Sequence, residues 1–146
     1  MADPRPVPTA TLAGHLRRSP LFTELPDREL RALAKQVTLR AFEGDTFVVR
    51  RGEEGVGLYL VLTGTVEVRK GTREVMRLHE GQFFGEMSLL DGEVHSADVR
   101  TTGPAVLGII SRWDFEAFAY AHPRVYKGMV RELVRRLRVT DQSLSS

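Results

Sequence analysis

Residues 56–78 read VGLYLVLTGTVEVRKGTREVMRL, a series of short apolar runs broken at single glycines. Val56 to Thr63 reads as one strand, Gly64 separates it from a second over Thr65 to Lys70, and Gly71-Thr72 makes a hairpin corner into a third over Arg73 to Leu78. The same punctuation extends outward. Upstream, Val37 to Phe42 alternates, Glu43-Gly44-Asp45 turns, Thr46 to Arg50 resumes a strand, and Arg51-Gly52-Glu53-Glu54-Gly55 turns again. Downstream, Gly81 to Gly85 breaks the pattern, Glu86 to Leu90 fits a single helical turn, and Asp91-Gly92-Glu93 returns the chain. Two further strands, Ser96 to Thr102 and Ala105 to Ser111, flank the turn Gly103-Pro104. Short strands with a glycine turn about every ten residues predict an antiparallel sandwich or barrel.

Helices are expected on both sides of these strands. Residues 1–8, with Pro4, Pro6 and Pro8, read as an extended or flexible tail. Thr9 to Arg18 carries Leu12 and Leu16 at helical spacing and stops at Ser19-Pro20. Pro26 suits a first helical turn, Asp27 and Glu29 suit its positive end, and Leu30, Leu33 and Val37 form an apolar stripe. After the strands, Trp113 to Ala121 is a short helix with Trp113 expected against the sandwich. Pro123 starts a longer helix with Val130, Leu133, Val134, Leu137 and Leu144 along one face. The expected domain therefore spans 9–142, with helices at 9–36, strands at 37–111, helices at 112–142 and a tail at 143–146.

A chain of 146 residues, 42% hydrophobic and 27% charged, is sized for one globular domain and is not compositionally disordered. The absence of cysteine removes disulfides, thiolate metal sites and thiol nucleophiles from consideration. His15, His79, His95 and His122 have no metal-ligand spacing, and nothing matches a nucleophile elbow or zinc-hydrolase motif, so no catalytic residue, metal or cofactor is expected. Without an N-terminal apolar segment or a run long enough to span a bilayer, a cytoplasmic protein with no membrane span is expected. Arg124, Lys127, Arg131, Arg135, Arg136 and Arg138 face only Glu132 within residues 124–140. This reads as a solvated helix face rather than a nucleic-acid surface, and DNA binding is not expected.

The stretch with chemical content is Gly81-Gln82-Phe83-Phe84-Gly85-Glu86-Met87-Ser88-Leu89-Leu90, followed by His95-Ser96-Ala97. Gly85 allows a tight approach of the chain, and N–H groups opening the Glu86 turn are suited to an anion. Glu86 is suited to accept hydrogen bonds from a sugar hydroxyl, and His95 and Ser96 to donate to a phosphate. Glycine corners between strands also serve as plain turns, Glu86 also reads as a turn-capping carboxylate and His95 as a weakly packed surface residue. Tyr59 reads as core. From the residues alone, both the ligand-binding and the structural readings stand.

The phrase Phe84-Gly85-Glu86-Met87-Ser88-Leu89, with Arg51-Gly52-Glu53, Tyr59 and Gly64 ahead of it in order, resembles the cyclic-nucleotide-binding domain family, which includes the bacterial catabolite activator protein. The resemblance covers roughly residues 12–142 and implies a mainly β fold with flanking helices: a double-stranded β-helix, or jelly roll, with N-terminal helices and a long C-terminal helix. It implies that the backbone of Gly85 and the carboxylate of Glu86 bind ligand, Glu86 through a ribose hydroxyl, with Met87 and Ser88 in the same cassette. The family's phosphate-pairing arginine falls on His95. Ser96 resembles a neighbouring serine that assists the phosphate, and Thr140 matches a threonine that touches the base.

These features imply regulatory binding of a small phosphorylated ligand, cyclic AMP or cyclic GMP, coupled to movement of the C-terminal helix and to homodimerisation along it. The helix-turn-helix domain of DNA-binding relatives is not expected in this chain. His95 in place of arginine keeps two alternatives: a degenerate dimerisation or protein-interaction module, and a sensor of another phosphorylated ligand such as a cyclic dinucleotide. Arg100, five residues later, lies on or near the following strand.

Overall fold

A computed structural model describes residues 9–145 and contains two four-stranded antiparallel sheets between helices. The chain opens with α1 (Thr9–Arg17) and α2 (Asp27–Ala34). Strands β1 (Thr38–Phe42), β2 (Phe47–Val49), β3 (Gly57–Thr63), β4 (Val66–Lys70), β5 (Arg73–Leu78) and β6 (Phe83–Phe84) follow. The short α3 (Glu86–Asp91) precedes β7 (Asp98–Thr101) and β8 (Ala105–Ser111), and α4 (Arg112–Ala121) and α5 (Arg124–Ser145) close the chain. One sheet has the order β1-β8-β3-β6 and the other β2-β7-β4-β5. This is the jelly-roll sandwich with flanking helices and a long C-terminal helix.

The period-2 geometry of strands explains how one apolar run serves two cores. In β3, Leu58, Leu60 and Leu62 face the helices and pack with Leu30, Leu33, Phe115 and Met129. Tyr59 and Val61 point the other way, into the interior between the sheets, where they meet Phe42, Val66, Leu78 and Leu107. The pair Phe83-Phe84 divides in the same manner, Phe83 to the helices and Phe84 to the sandwich. That division explains why residues 81–85, which read as a break, contain a strand: β6 pairs with β3 through Tyr59 with Phe84 and Leu60 with Phe83. The rings of Tyr59 and Phe84 stack at 4.8 Å.

Two glycines are fixed by close approach. A Cβ on Gly57 would lie 2.1 Å from the carbonyl oxygen of Ile110 on the neighbouring strand. Gly57→Ala is therefore expected to destabilise the domain by about 1–3 kcal/mol through forced strand displacement, read as a lower urea midpoint at unchanged slope. Gly85 has φ +86°, and a Cβ there would lie 2.9 Å from the Gly57 carbonyl oxygen. Both the left-handed backbone and the proximity call for glycine.

Three expectations are corrected. Trp113 is 78% exposed rather than packed on the sandwich. Phe115, Phe118 and Ala119 form the buried stripe of α4, and position 113 falls on its opposite side. Val37 follows α2 rather than completing its stripe, although it still packs against the helix-side core. Finally, α5 continues to Ser145, because Gln142-Ser143-Leu144-Ser145 contains neither glycine nor proline to stop it. The expected tail at 1–8 lies outside the described residues.

Candidate ligand-binding site

The turn from β6 into α3 opens at Gly85, whose left-handed backbone swings Glu86 inward at the start of the helix. The hydrogen bond from Leu89 N–H to Gly85 O, 3.1 Å, closes the first turn. The segment carrying His95 is fixed on the far side by two backbone bonds to the β2–β3 turn. His95 N–H donates to Glu53 O, and Gly52 N–H donates to His95 O, both at 2.9 Å. A Cβ on Gly85 would lie 3.8 Å from the His95 ring. Elements far apart in sequence thus meet at one corner.

That corner lines a cavity of about 320 Å³. Gly85, Glu86, Ser88, His95 and Ser96 all border it. The β4–β5 hairpin supplies an apolar wall with Val68, Met76 and Leu78, and α5 supplies Leu133, Arg136 and Leu137 on another side. Apolar walls with a few convergent polar groups are the usual make-up of a small-molecule site. Of the other anticipated residues, Met87 lies in α3 and Thr140 in α5, and their side chains lie outside the described residues. Arg100 is not at the corner. It pairs with Asp45 and with Glu67, each at 3.3 Å, so it does not replace the missing phosphate-pairing arginine.

The residue sequence reasoning missed is Arg136. Its Nη1 donates to Glu86 Oε1 at 2.9 Å and its Nη2 to the carbonyl of Phe83 at 2.8 Å. Its Nε also reaches Glu132 at 3.3 Å, and the guanidinium lies over the Phe83 ring at 4.7 Å. The sequence groups this residue with a solvated basic face, yet its side chain is only 12% exposed. A planar fork with several donors is what makes these simultaneous contacts feasible. The only sequence signal was Glu132, four residues away on the same helix, which marks an i,i+4 partner but gives no hint of Glu86.

Burial pushes the Glu86 carboxyl above the ordinary carboxylate range, with Glu132 adding to the rise, while the Arg136 charge and a backbone N–H oppose it. Burial also disfavours ionised Glu132, but hydrogen bonds and charge from Arg135 and Arg136 outweigh it and hold that carboxyl low. The stability linked to Glu86 is therefore greatest below its unfolded pKa and is lost as pH rises through its folded pKa. Arg136→Gln is expected to move Glu86 titration further upward, shifting this loss to higher pH. Carboxyl ¹³C NMR checks the direction.

His95 is 6% exposed, and its Nε2 has no hydrogen-bond partner among the described residues. Burial lowers its pKa, and Glu53 opposes the shift. At neutral pH the ring is therefore chiefly uncharged. A neutral imidazole can donate or accept at Nε2 according to tautomer, whereas arginine would bring a permanent charge and a bidentate fork.

The family model for the cyclic nucleotide-binding domain matches residues 39–122, which contain the whole Gly85-to-Ser96 corner. The chain belongs to the cyclic nucleotide-binding domain family. The Pycsar effector protein PaPycTIR of Pseudomonas aeruginosa is 33% identical over 108 residues, which cover 73% of this chain and 35% of that protein. The Thermus thermophilus catabolite activator protein superposes with a TM-score of 0.79 at 32% identity, covering 87% of this chain and 62% of the other. The regulatory subunit of a cAMP-independent protein kinase A from Trypanosoma brucei gives a TM-score of 0.76 at 28% identity, covering 85% of this chain and 45% of the other. The curated relatives are longer proteins: the match to PaPycTIR spans 35% of its length. As a cyclic nucleotide-binding domain, this chain is related to regulatory modules. Among its described residues no helix is long and apolar enough to cross a membrane, and no His or acidic cluster has the make-up of a metal site.

Proposed function

We propose that this domain is a non-catalytic, cytoplasmic receptor for cyclic AMP or cyclic GMP, with occupancy read through α5 and through association of two copies along it. The observation that carries this reading is the Arg136–Glu86 pair. In the family pattern the carboxylate at position 86 takes a ribose hydroxyl, and here that carboxylate is held by an arginine from the C-terminal helix. A ribose in the cavity and Arg136 then share one carboxylate, of which Arg136 holds Oε1. A ligand that displaces Arg136 favours one seat of α5 over another, which is the differential affinity any switch requires.

The cavity also bears on ligand size. At about 320 Å³ it sits near the lower end of the range for small-molecule sites, which favours a mononucleotide over a cyclic dinucleotide. Along α5, Val130, Val134 and Leu137 are exposed at the spacing of a helix-pairing stripe. Sedimentation equilibrium is expected to show a dimer, and the V130E/V134E double variant a monomer of unchanged helicity. A monomer before substitution removes the proposed association.

A second reading, an interaction module without nucleotide, draws on a specific observation: His95 is buried, its protonation is disfavoured by that burial, and it lacks the fork that grips a phosphate. The Trypanosoma brucei relative is described as cAMP-independent, so the fold also occurs in a protein so described. Backbone NMR with cyclic AMP and cyclic GMP separates the two. Nucleotide sensing predicts saturable shifts at Gly85, Ser88 and His95 together with Leu133 and Leu137 on α5. An unchanged spectrum at millimolar nucleotide supports the interaction module.

A further inference from the structure

His95 occupies an unusual position for a titratable group. Its backbone N–H and carbonyl are both bonded to the β2–β3 turn, its ring lies beside Gly85, and the residue borders the cavity while its buried Nε2 has no partner among the described residues. Buried polar atoms in native structures are nearly always paired, so an unpartnered ring nitrogen in a cavity-lining residue is suited to take a group bound in that cavity. A phosphodiester would supply anionic oxygen acceptors, and it stays singly charged across the range in which imidazole titrates.

The surrounding titratable and charged groups come from five elements and one turn. Glu53, on the β2–β3 turn, favours the protonated ring. Glu86 of α3, Lys70 at the end of β4 and Arg136 of α5 line the same cavity. Tyr59 of β3 packs beside Gly85 and is kept protonated by burial, with Arg40 opposing and Glu53 adding to that effect. Glu86 is already paired with Arg136, leaving the ring without a second strong anionic neighbour from that side. An arriving phosphate would provide one.

Resting on the cyclic-nucleotide reading, we propose that His95 takes up a proton when an anionic phosphate ester fills the cavity, so that ligand binding at this site strengthens as pH falls. The step is a simple association: imidazole gains a proton from solvent at its free ring nitrogen, and imidazolium then donates to a phosphate oxygen. In the empty site burial opposes this charge, and in the filled site the phosphate supports it. The site thereby reads acidity and ligand together, whereas arginine at the same place would read ligand alone.

Linkage fixes the sign and the window. Affinity is flat below the pKa of the empty site, which lies under the ordinary histidine value, and falls with rising pH until the pKa of the filled site is reached. Within that window the loss approaches about tenfold per pH unit, the limit for one proton.

The test is calorimetric titration of the full chain with cyclic AMP from about pH 5.5 to about pH 8.5, in buffers of different ionisation enthalpy. The expected result is weaker binding at higher pH, with net uptake approaching one proton in the middle of the window. His95→Gln and His95→Arg are expected to remove that proton, and His95→Arg to remain tight throughout. Glu86 titrates in all three proteins, so comparison with His95→Gln isolates the imidazole. Binding by the unsubstituted chain with no proton uptake, or with a pH profile matching His95→Gln, overturns the proton-linked role and leaves the nucleotide reading standing. Failure of both the unsubstituted chain and His95→Arg to bind at any pH overturns both.

Discussion

The His95→Arg variant is expected to bind cyclic AMP roughly 10- to 150-fold more tightly than the unsubstituted chain at neutral pH, equivalent to about 1.5–3 kcal/mol for a charge-assisted contact. The reason is local. Burial keeps the natural imidazole chiefly neutral in the empty site, so at neutral pH part of the binding energy goes into protonating it, and the imidazolium then offers the phosphate a single donor. Guanidinium keeps its charge and presents two parallel donors. The same change is expected to lower stability without ligand, because a buried cation would then lack a dedicated counter-ion. Saturating nucleotide should restore it in proportion to the logarithm of ligand over Kd. Calorimetry measures the affinity, and thermal unfolding with and without ligand measures the exchange. Unchanged affinity would mean that no phosphate reaches position 95.

Glu86→Ala is expected to weaken binding of cyclic AMP by a similar factor, roughly 10- to 150-fold, by deleting the carboxylate that accepts the ribose hydroxyl. Removing the acceptor also removes a contact of Arg136, which retains its bonds to Phe83 and Glu132. Part of the weakening therefore reflects a changed helix contact. A double cycle separates the parts. The 2′-deoxy analogue should bind the unsubstituted chain more weakly than cyclic AMP, while Glu86→Ala should scarcely distinguish the two ligands. If the variant distinguishes them as strongly as the unsubstituted chain does, the hydroxyl lies elsewhere.

Much of the fold was legible because its signals are local. Gly64 and Gly71 separated strands that occur at Gly57–Thr63, Val66–Lys70 and Arg73–Leu78. Pro26, Asp27 and Glu29 marked the start of α2. The two-residue strand Phe83–Phe84 was not legible, since so short a segment has no resolvable period and is defined by pairing with β3. Trp113 failed for a related reason: its size favoured burial, but the register of α4 placed it outside.

The site divides along the same line. Gly85, Glu86, Ser88, His95 and Ser96 were readable as one compact stretch, and all five border the cavity. Arg136 was not readable as part of it. It stands 50 residues from Glu86, and only the packing of α5 brings the two charges to 2.9 Å. Nor does composition show that His95 would be buried with an orphan nitrogen, because that depends on the β2–β3 turn holding its segment against Gly85. Local motifs identify groups with suitable chemistry, whereas tertiary contacts determine which are already engaged and which await a partner.

The most direct test of a nucleotide site beneath α5 is a calorimetric titration of the unsubstituted chain with cyclic AMP and cyclic GMP, carried to millimolar ligand. The predicted result is saturable one-site binding of at least one nucleotide that Glu86→Ala weakens. No saturable binding of either nucleotide, by the unsubstituted chain or by His95→Arg, would contradict it.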